Sequence, residues 1–399
     1  MSSSSHEVIL VYTRPWFHYF YKILASFFEK KFQCRVIFFS DFHIPGVYDI
    51  SPLKKNIKSN LKSSLNNIPD EYHDIYKRDR LLRKLSFNQA LNILHGYQEN
   101  IEALFSKYDI KFIFSATVDQ FAIDLCYRHS IVKKIPFIGY HLSVIPNYTL
   151  ITNRGESSFF RTPSQEETIM ATEAIQQNNF RPEYIPQKGK LIQAGYFRLL
   201  QNIARVPYFS IKDFLSSRYN YHYKSTLLSA LQSLRFSVLK SIFWSNDKFK
   251  FDTPIDIYIP LQLHPECNSE YWSRKSTYKD YEDVILEFCK KYADKYSIFV
   301  KEHPNMVGFR DSRFYKHLAQ LGVRIVNLED SNKSLIQHSK VVITFNSSVG
   351  IEGLIFGADI FCIDKPYYLT PGHIQTESDL KKILDSKATI NANNANKKI

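Results

Sequence analysis

The sequence has little cysteine and no pattern in what it has. Five cysteines among 399 residues, Cys34, Cys126, Cys267, Cys289 and Cys362, stand apart with no C-x-x-C pair. That spacing argues against a disulfide framework and against a zinc site, and leaves them as small buried residues. Long hydrophobic runs are missing too: nothing reaches the roughly 18 apolar residues a bilayer-spanning helix needs. The start, Met1 to Glu7, is serine-rich and has neither the basic nor the apolar region of a secretion signal, so the expected location is the cytoplasm. The phosphate loops G-x-G-x-x-G and G-x-x-x-x-G-K-[ST] are both absent. A D-x-D motif of the metal-binding kind does not occur in any loop, so metal-independent chemistry with no cofactor is expected.

What is present suffices for two cores. The chain is 44% hydrophobic and 15% aromatic, and its length suits two domains. A formal charge of +13 fits a polyanionic partner, such as an anionic membrane face or a phosphorylated substrate, or serves solubility alone. Strand-like and helix-like runs alternate from Glu7-Val-Ile-Leu-Val-Tyr12 onward, which predicts an α/β fold with doubly wound parallel sheets. The expected division is residues 1–245 for a first domain with a helical connection, 246–375 for a second, and 376–399 for a polar, partly disordered tail. Leu191-Ile-Gln-Ala-Gly195 reads as a short strand, and Tyr208 to Lys250 as the connection between domains.

Three clusters at predicted strand ends carry the chemistry. Pro260-Leu-Gln-Leu-His-Pro-Glu266 follows the strand Ile255 to Ile259 and places Gln262 and Glu266 beside a proline. Lys301-Glu302-His303-Pro304 sets an imidazole where a buried strand is stopped by a residue without an N–H. Asn346-Ser-Ser-Val-Gly-Ile-Glu352 turns from a strand into a helix, with Ser347 and Ser348 hydroxyls for phosphate oxygens, Gly350 for close approach and Glu352 for a ribose. Taken singly, each has a plain structural alternative: a surface turn, a structural histidine, a capped helix start. Three at successive strand ends of one sheet argue for a nucleotide site, because open α/β sheets bind ligands there.

The set Pro260–Glu266, Val300-Lys-Glu-His-Pro304 and Asn346–Gly353, with Gly357 and Tyr367-Tyr368 after it, resembles the capsule polysaccharide biosynthesis family. That family includes retaining β-Kdo transferases with a Q-x-x-x-E motif and an H-P motif. Asp74-Ile-Tyr-Lys-Arg-Asp-Arg80 is similar to an R-D-R segment of related proteins. The resemblance implies a GT-B arrangement of two Rossmann-like domains and a glycosyltransferase of surface polysaccharide, moving Kdo or a related ulosonic acid from a CMP-sugar to a glycan or lipid-linked glycan. It implies that His303 contacts the donor phosphate with Ser347 and Ser348, that Glu352 lies near the ribose, and that Gln262 and Glu266 line the donor pocket. Lys301 and the Ser347 turn then supply the charge neutralisation a metal would give. A first-domain carboxylate should act on the sugar or the acceptor, and Asp119 and Glu156 are its candidates.

Two other readings stay open. One is a polyol-phosphate transferase of the teichoic-acid type using a CDP-alcohol. The other is a basic module that binds polyanions or membranes, although no nucleic-acid motif accompanies the charge and no nucleic-acid partner is expected. The basic stretch from Lys54 to Lys84 is either a solvated helical face or a patch that holds the protein to an anionic membrane.

Overall fold

The computed structural model describes residues 7–59, 69–143, 145, 148–154, 162–177, 191–235, 255–272, 281–306, 309–364, 366, 368, 374 and 376–386. Two sheets organise it. The first contains β1 (Val8–Tyr12), β2 (Arg35–Ser40), β3 (Tyr48–Asp49), β4 (Ile110–Ala116), β5 (Phe137–Leu142) and β6 (Thr149–Thr152) in the order β3-β2-β1-β4-β5-β6. All its pairings are parallel except β5 with β6. The second contains β7 (Ile255–Pro260), β8 (Ile298–Lys301), β9 (Arg324–Ile325), β10 (Ser339–Thr344) and β11 (Asp359–Cys362) in the order β11-β10-β7-β8-β9, parallel throughout.

Both sheets are buried on both faces, which is why their central strands read as unbroken apolar runs rather than alternations. On β1, Val8, Leu10 and Tyr12 face the larger core beneath α4 (Phe87–Lys107) and α5 (Phe121–Val132), while Ile9 and Val11 face α1 (His18–Phe32). On β10, Val341 and Ile343 point one way and Val342 the other. Ser86 and Gln89 close a capping box that starts α4 where the apolar period begins. Ser164 does the same with Glu167 for α6 (Gln165–Gln176), as its sequence suggests.

One expectation fails here. Leu191 to Gly195 forms no strand but opens α7 (Leu191–Leu215), because apolar residues continue at helical spacing well beyond it and one interior glycine costs only about 1 kcal/mol. The connection is thus partly a helical hairpin, α7 against α8 (Tyr221–Arg235), and residues 236–254 lie outside the described ones. The short edge strands β3 and β6 are absent from the sequence reading. The first and second units also interlock: after β7 the chain sends Tyr271 into the first core with Trp272 packed beside it. Glu156, Tyr367 and the residues from Asn391 lie outside the described residues.

Candidate active site

Each sheet has one point where strand order reverses, and ligands of open α/β sheets sit in the crevice outside the carboxyl ends at that point. In the first sheet it falls between β1 and β4, which lead into Arg14 and Asp119. Arg14 forks onto that carboxylate, Nη1 to Oδ2 at 2.8 Å and Nη2 to Oδ1 at 2.5 Å. Beneath the fork lies a buried layer: Tyr12 donates to Asp41, and Gln120 Nε2 donates to the Tyr12 hydroxyl at 2.7 Å and to Asp41 at 3.2 Å. Burial pushes the Asp41 carboxyl up, against the pull of these donors and of Arg14.

In the second sheet the reversal falls between β7 and β10, whose ends carry Gln262 and Asn346. Gln262 Nε2 donates to Asn346 Oδ1 at 3.2 Å across that point, and Asn346 Nδ2 donates to the Asn268 carbonyl at 2.7 Å. The Gln262 backbone is held from both sides, its N–H by the Tyr281 hydroxyl at 2.8 Å and its carbonyl by Arg310 at 2.8 Å. The side-chain Oε1 is buried without a hydrogen-bond partner, a costly state that a ligand donor would relieve.

The neighbouring strand ends complete the second half. His303 follows β8, and its Nδ1 accepts from the Asn305 N–H at 3.1 Å, which leaves Nε2 as the protonated, donating nitrogen. Pro304 opens a single tight turn, Pro304–Met306. Ser347 caps α13 (Ser348–Ile355), its hydroxyl accepting from the Val349 N–H at 3.2 Å. Its own carbonyl accepts from the Tyr368 hydroxyl at 2.7 Å. Gly350 is required by that tyrosine, since a Cβ there would lie 2.3 Å from the Tyr368 oxygen. Glu352, on the same helix, has its carboxyl pushed up to about 7 by burial, with Lys301 pulling it down.

Lys301 and Glu302 are spent on the scaffold. The Lys301 ammonium donates to the Asp330 carbonyl at 2.5 Å and to Asn332 Oδ1 at 2.8 Å. Glu302 pairs with the wholly buried Arg310 at 2.7 Å and accepts from the Tyr315 hydroxyl. Gln262, His303, Ser347 and Ser348 are therefore brought to three adjacent strand ends, β10, β7 and β8, while Lys301 turns away toward Asn332.

Glu266 stands where the halves meet, as the cap of the one-turn α9 (Cys267–Glu270). Burial raises its carboxyl to about 7, Arg80 opposing and Asp119 reinforcing the rise. The two sequence-predicted carboxylates from different domains thus lie within reach of each other's charge. His141, near the end of β5, packs its ring 4.7 Å from Trp272, and its Nε2 is buried without a hydrogen-bond partner.

Sequence reasoning missed what joins the halves. Glu270 has no exposed side-chain surface and pairs with Arg80 at 2.7 Å and Arg83 at 2.9 Å. Asp79, between Arg78 and Arg80, accepts from the N–H groups of Leu81, Leu82 and Phe121 at 2.8, 3.0 and 3.2 Å and from the Tyr271 hydroxyl. Arg78 donates to the Glu270 carbonyl at 2.9 Å. The R-D-R segment was the available signal, and its work is to lock the first domain to α9.

Two mostly parallel sheets, each with polar side chains bridging its switch point, define an α/β protein. The profile of the capsule polysaccharide biosynthesis protein family matches residues 128–395, about two thirds of the chain. The chain belongs to that family. No curated protein matches it. Among solved structures it is similar to the β-Kdo 2,7 transferase KpsC of Thermosulfurimonas dismutans, at 12% identity over 68% of this chain and 70% of that one, TM-score 0.32. It is also similar to the β-Kdo 2,4 transferase KpsC of the same organism, at 13% identity over 68% and 78%, TM-score 0.33. The fold assignment rests on strand order rather than on these loose superpositions.

Proposed function

We propose that this protein is a glycosyltransferase of surface polysaccharide synthesis that transfers Kdo or a related ulosonic acid from a CMP-sugar to a glycan or lipid-linked glycan. The observation that carries the reading is the pair of switch points. One half offers donors suited to a nucleotide phosphate, and the other a carboxylate suited to an acceptor hydroxyl.

In this reading the donor phosphate meets the His303 Nε2–H and the first turn of α13 at Ser347 and Ser348. Charge that develops on the leaving phosphate is met by fixed donors, which need no reorganisation during the reaction. Gln262 Oε1 accepts from the nucleotide or sugar, and Glu352 lies near the ribose. As the sugar–oxygen bond to phosphate breaks, the acceptor hydroxyl adds to the anomeric carbon and gives up its proton. Glu266, with a carboxyl near 7, is matched to hold and release a proton at neutral pH. Asp119, oriented by Arg14, is the first-domain carboxylate that faces the sugar or acceptor.

The test is incubation with a panel of nucleotide sugars and detection of released nucleotide. Acceptor-dependent CMP release from CMP-Kdo or another CMP-ulosonic acid is expected. Release from UDP- or GDP-sugars with none from CMP-sugars would overturn the donor assignment.

A further inference from the structure

The first domain carries an apolar face that no described residue covers. Trp16, in the turn before α1, and Phe20, Ile23 and Phe27 on it follow one another at spacings of four, three and four residues, and they are 51, 52, 47 and 63% exposed. One side of the helix buries Tyr21 and Ala25 on the sheet, so this stripe is its outward side. A second stripe runs along α7, where Phe197, Leu200, Tyr208, Ile211 and Phe214 are 63, 65, 55, 59 and 86% exposed. At 25 residues this helix extends for about 37 Å. The two helices are neighbours: His222 at the start of α8 packs its ring 5.1 Å from Trp16, just before α1, and 5.4 Å from the half-buried Phe209 of α7.

Charge selects the occupant. Helices α1, α7 and α8 together hold eight lysines and arginines against two acids, Glu29 and Asp213. A second copy would bring the same positive face against this one, whereas an anionic lipid surface complements it. Aromatic side chains beside basic ones on a helix that lies flat are the composition of interfacial docking. Among the described residues no helix is long and apolar enough to cross a membrane. Of the nine basic residues from Lys54 to Lys84, four are paired within the chain: Lys54 with Asp213, Arg78 with Asp74, and Arg80 and Arg83 with Glu270.

We infer that α1 and α7 form a monotopic docking face that inserts its aromatic and aliphatic side chains into the interfacial region of an anionic phospholipid bilayer. This inference goes beyond the proposed transfer reaction and does not depend on it. The face adjoins the first switch point, because the Arg14 guanidinium lies 5.9 Å from the Trp16 ring centre. A bilayer held there would lie at the mouth of the crevice.

The test is sedimentation of the full chain with vesicles of phosphatidylcholine alone and of phosphatidylcholine with phosphatidylglycerol, for the wild type and for two exposed double variants, Phe20→Glu/Ile23→Glu and Ile211→Glu/Phe214→Glu. The wild type is expected to pellet with the anionic vesicles only, and each variant to lose about tenfold or more of that binding, since a charge in place of a buried apolar group opposes insertion. Because all four positions are exposed, unfolding midpoints should match the wild type. The inference is overturned if the wild type stays in the supernatant, if folded variants pellet as it does, or if light scattering shows a dimer that the variants convert to monomer.

Discussion

Replacing Glu270 by glutamine removes the negative charge from an internal joint and leaves Arg80 and Arg83 facing a neutral amide. The carboxylate has no exposed surface, whereas the arginines retain 24 and 19% of theirs. Breaking a fully buried pair costs about 3–5 kcal/mol, but burial pushes the Glu270 carboxyl up to about 7 despite both arginines, so removing its charge also relieves a desolvation cost, and with partial rehydration of two guanidiniums the expected loss at pH 7 is about 1–2 kcal/mol. With an unfolding entropy of about 2.1 cal/mol/K per residue, a single transition of the whole chain would move down by about 2 °C. The shift is larger if the domains unfold separately, and the transition then broadens or splits because the joint couples them. The assay is calorimetric unfolding of wild type, Glu270→Gln, Arg80→Gln and the double variant. The double variant should recover part of the loss, with a coupling of about 1–2 kcal/mol. A Glu270→Gln midpoint within 1 °C of wild type and an additive double variant would refute the idea that this cluster fastens the domains.

The other expectations concern the crevice. His303→Ala should leave the protein folded yet abolish turnover; near wild-type turnover removes His303 from the site. Glu266→Gln should lower turnover by about tenfold or more. The same variant should be more stable than wild type by about 1–3 kcal/mol above pH 7 and equal to it near pH 4. The sign follows from the raised carboxyl: its favourable contribution is complete below the unfolded value and is lost as pH rises through about 7. Equal stability of the two proteins at pH 8 would show that Glu266 is not desolvated. Gly350→Ala should displace Tyr368 and weaken nucleotide binding, and adding Tyr368→Ala should restore the fold, because the clash is with that ring; an unaffected Gly350→Ala protein would contradict the packing.

The parts of the fold visible in the sequence were those buried on both sides. Val8–Tyr12, Ile255–Pro260 and Ser339–Thr344 each hold a buried run of apolar residues because each is a central strand covered by helices on both faces. The edge strands Tyr48–Asp49 and Thr149–Thr152 are half-exposed and short, so no period marks them. The second-domain side of the crevice could be read because its residues follow those strands directly, as Gln262, His303 and Ser347 do. Arg14 carries no local signal, since its partner is 105 positions away at Asp119. Glu270 was equally silent, because nothing local distinguishes a buried carboxylate that meets two arginines from a solvated one. Gly350 also gives room to Tyr368, which no local pattern announces.

The central claim is that the second-sheet switch point holds the nucleotide while the first-domain carboxylate acts in transfer. Calorimetric titration of CMP into wild type, Gln262→Ala and Asp119→Asn tests it most directly. Wild type should bind, Gln262→Ala should bind at least about tenfold more weakly, a loss of about 1.4 kcal/mol, and Asp119→Asn should bind as the wild type does while losing transfer. No binding by wild type, or binding lost in Asp119→Asn and kept in Gln262→Ala, would contradict it.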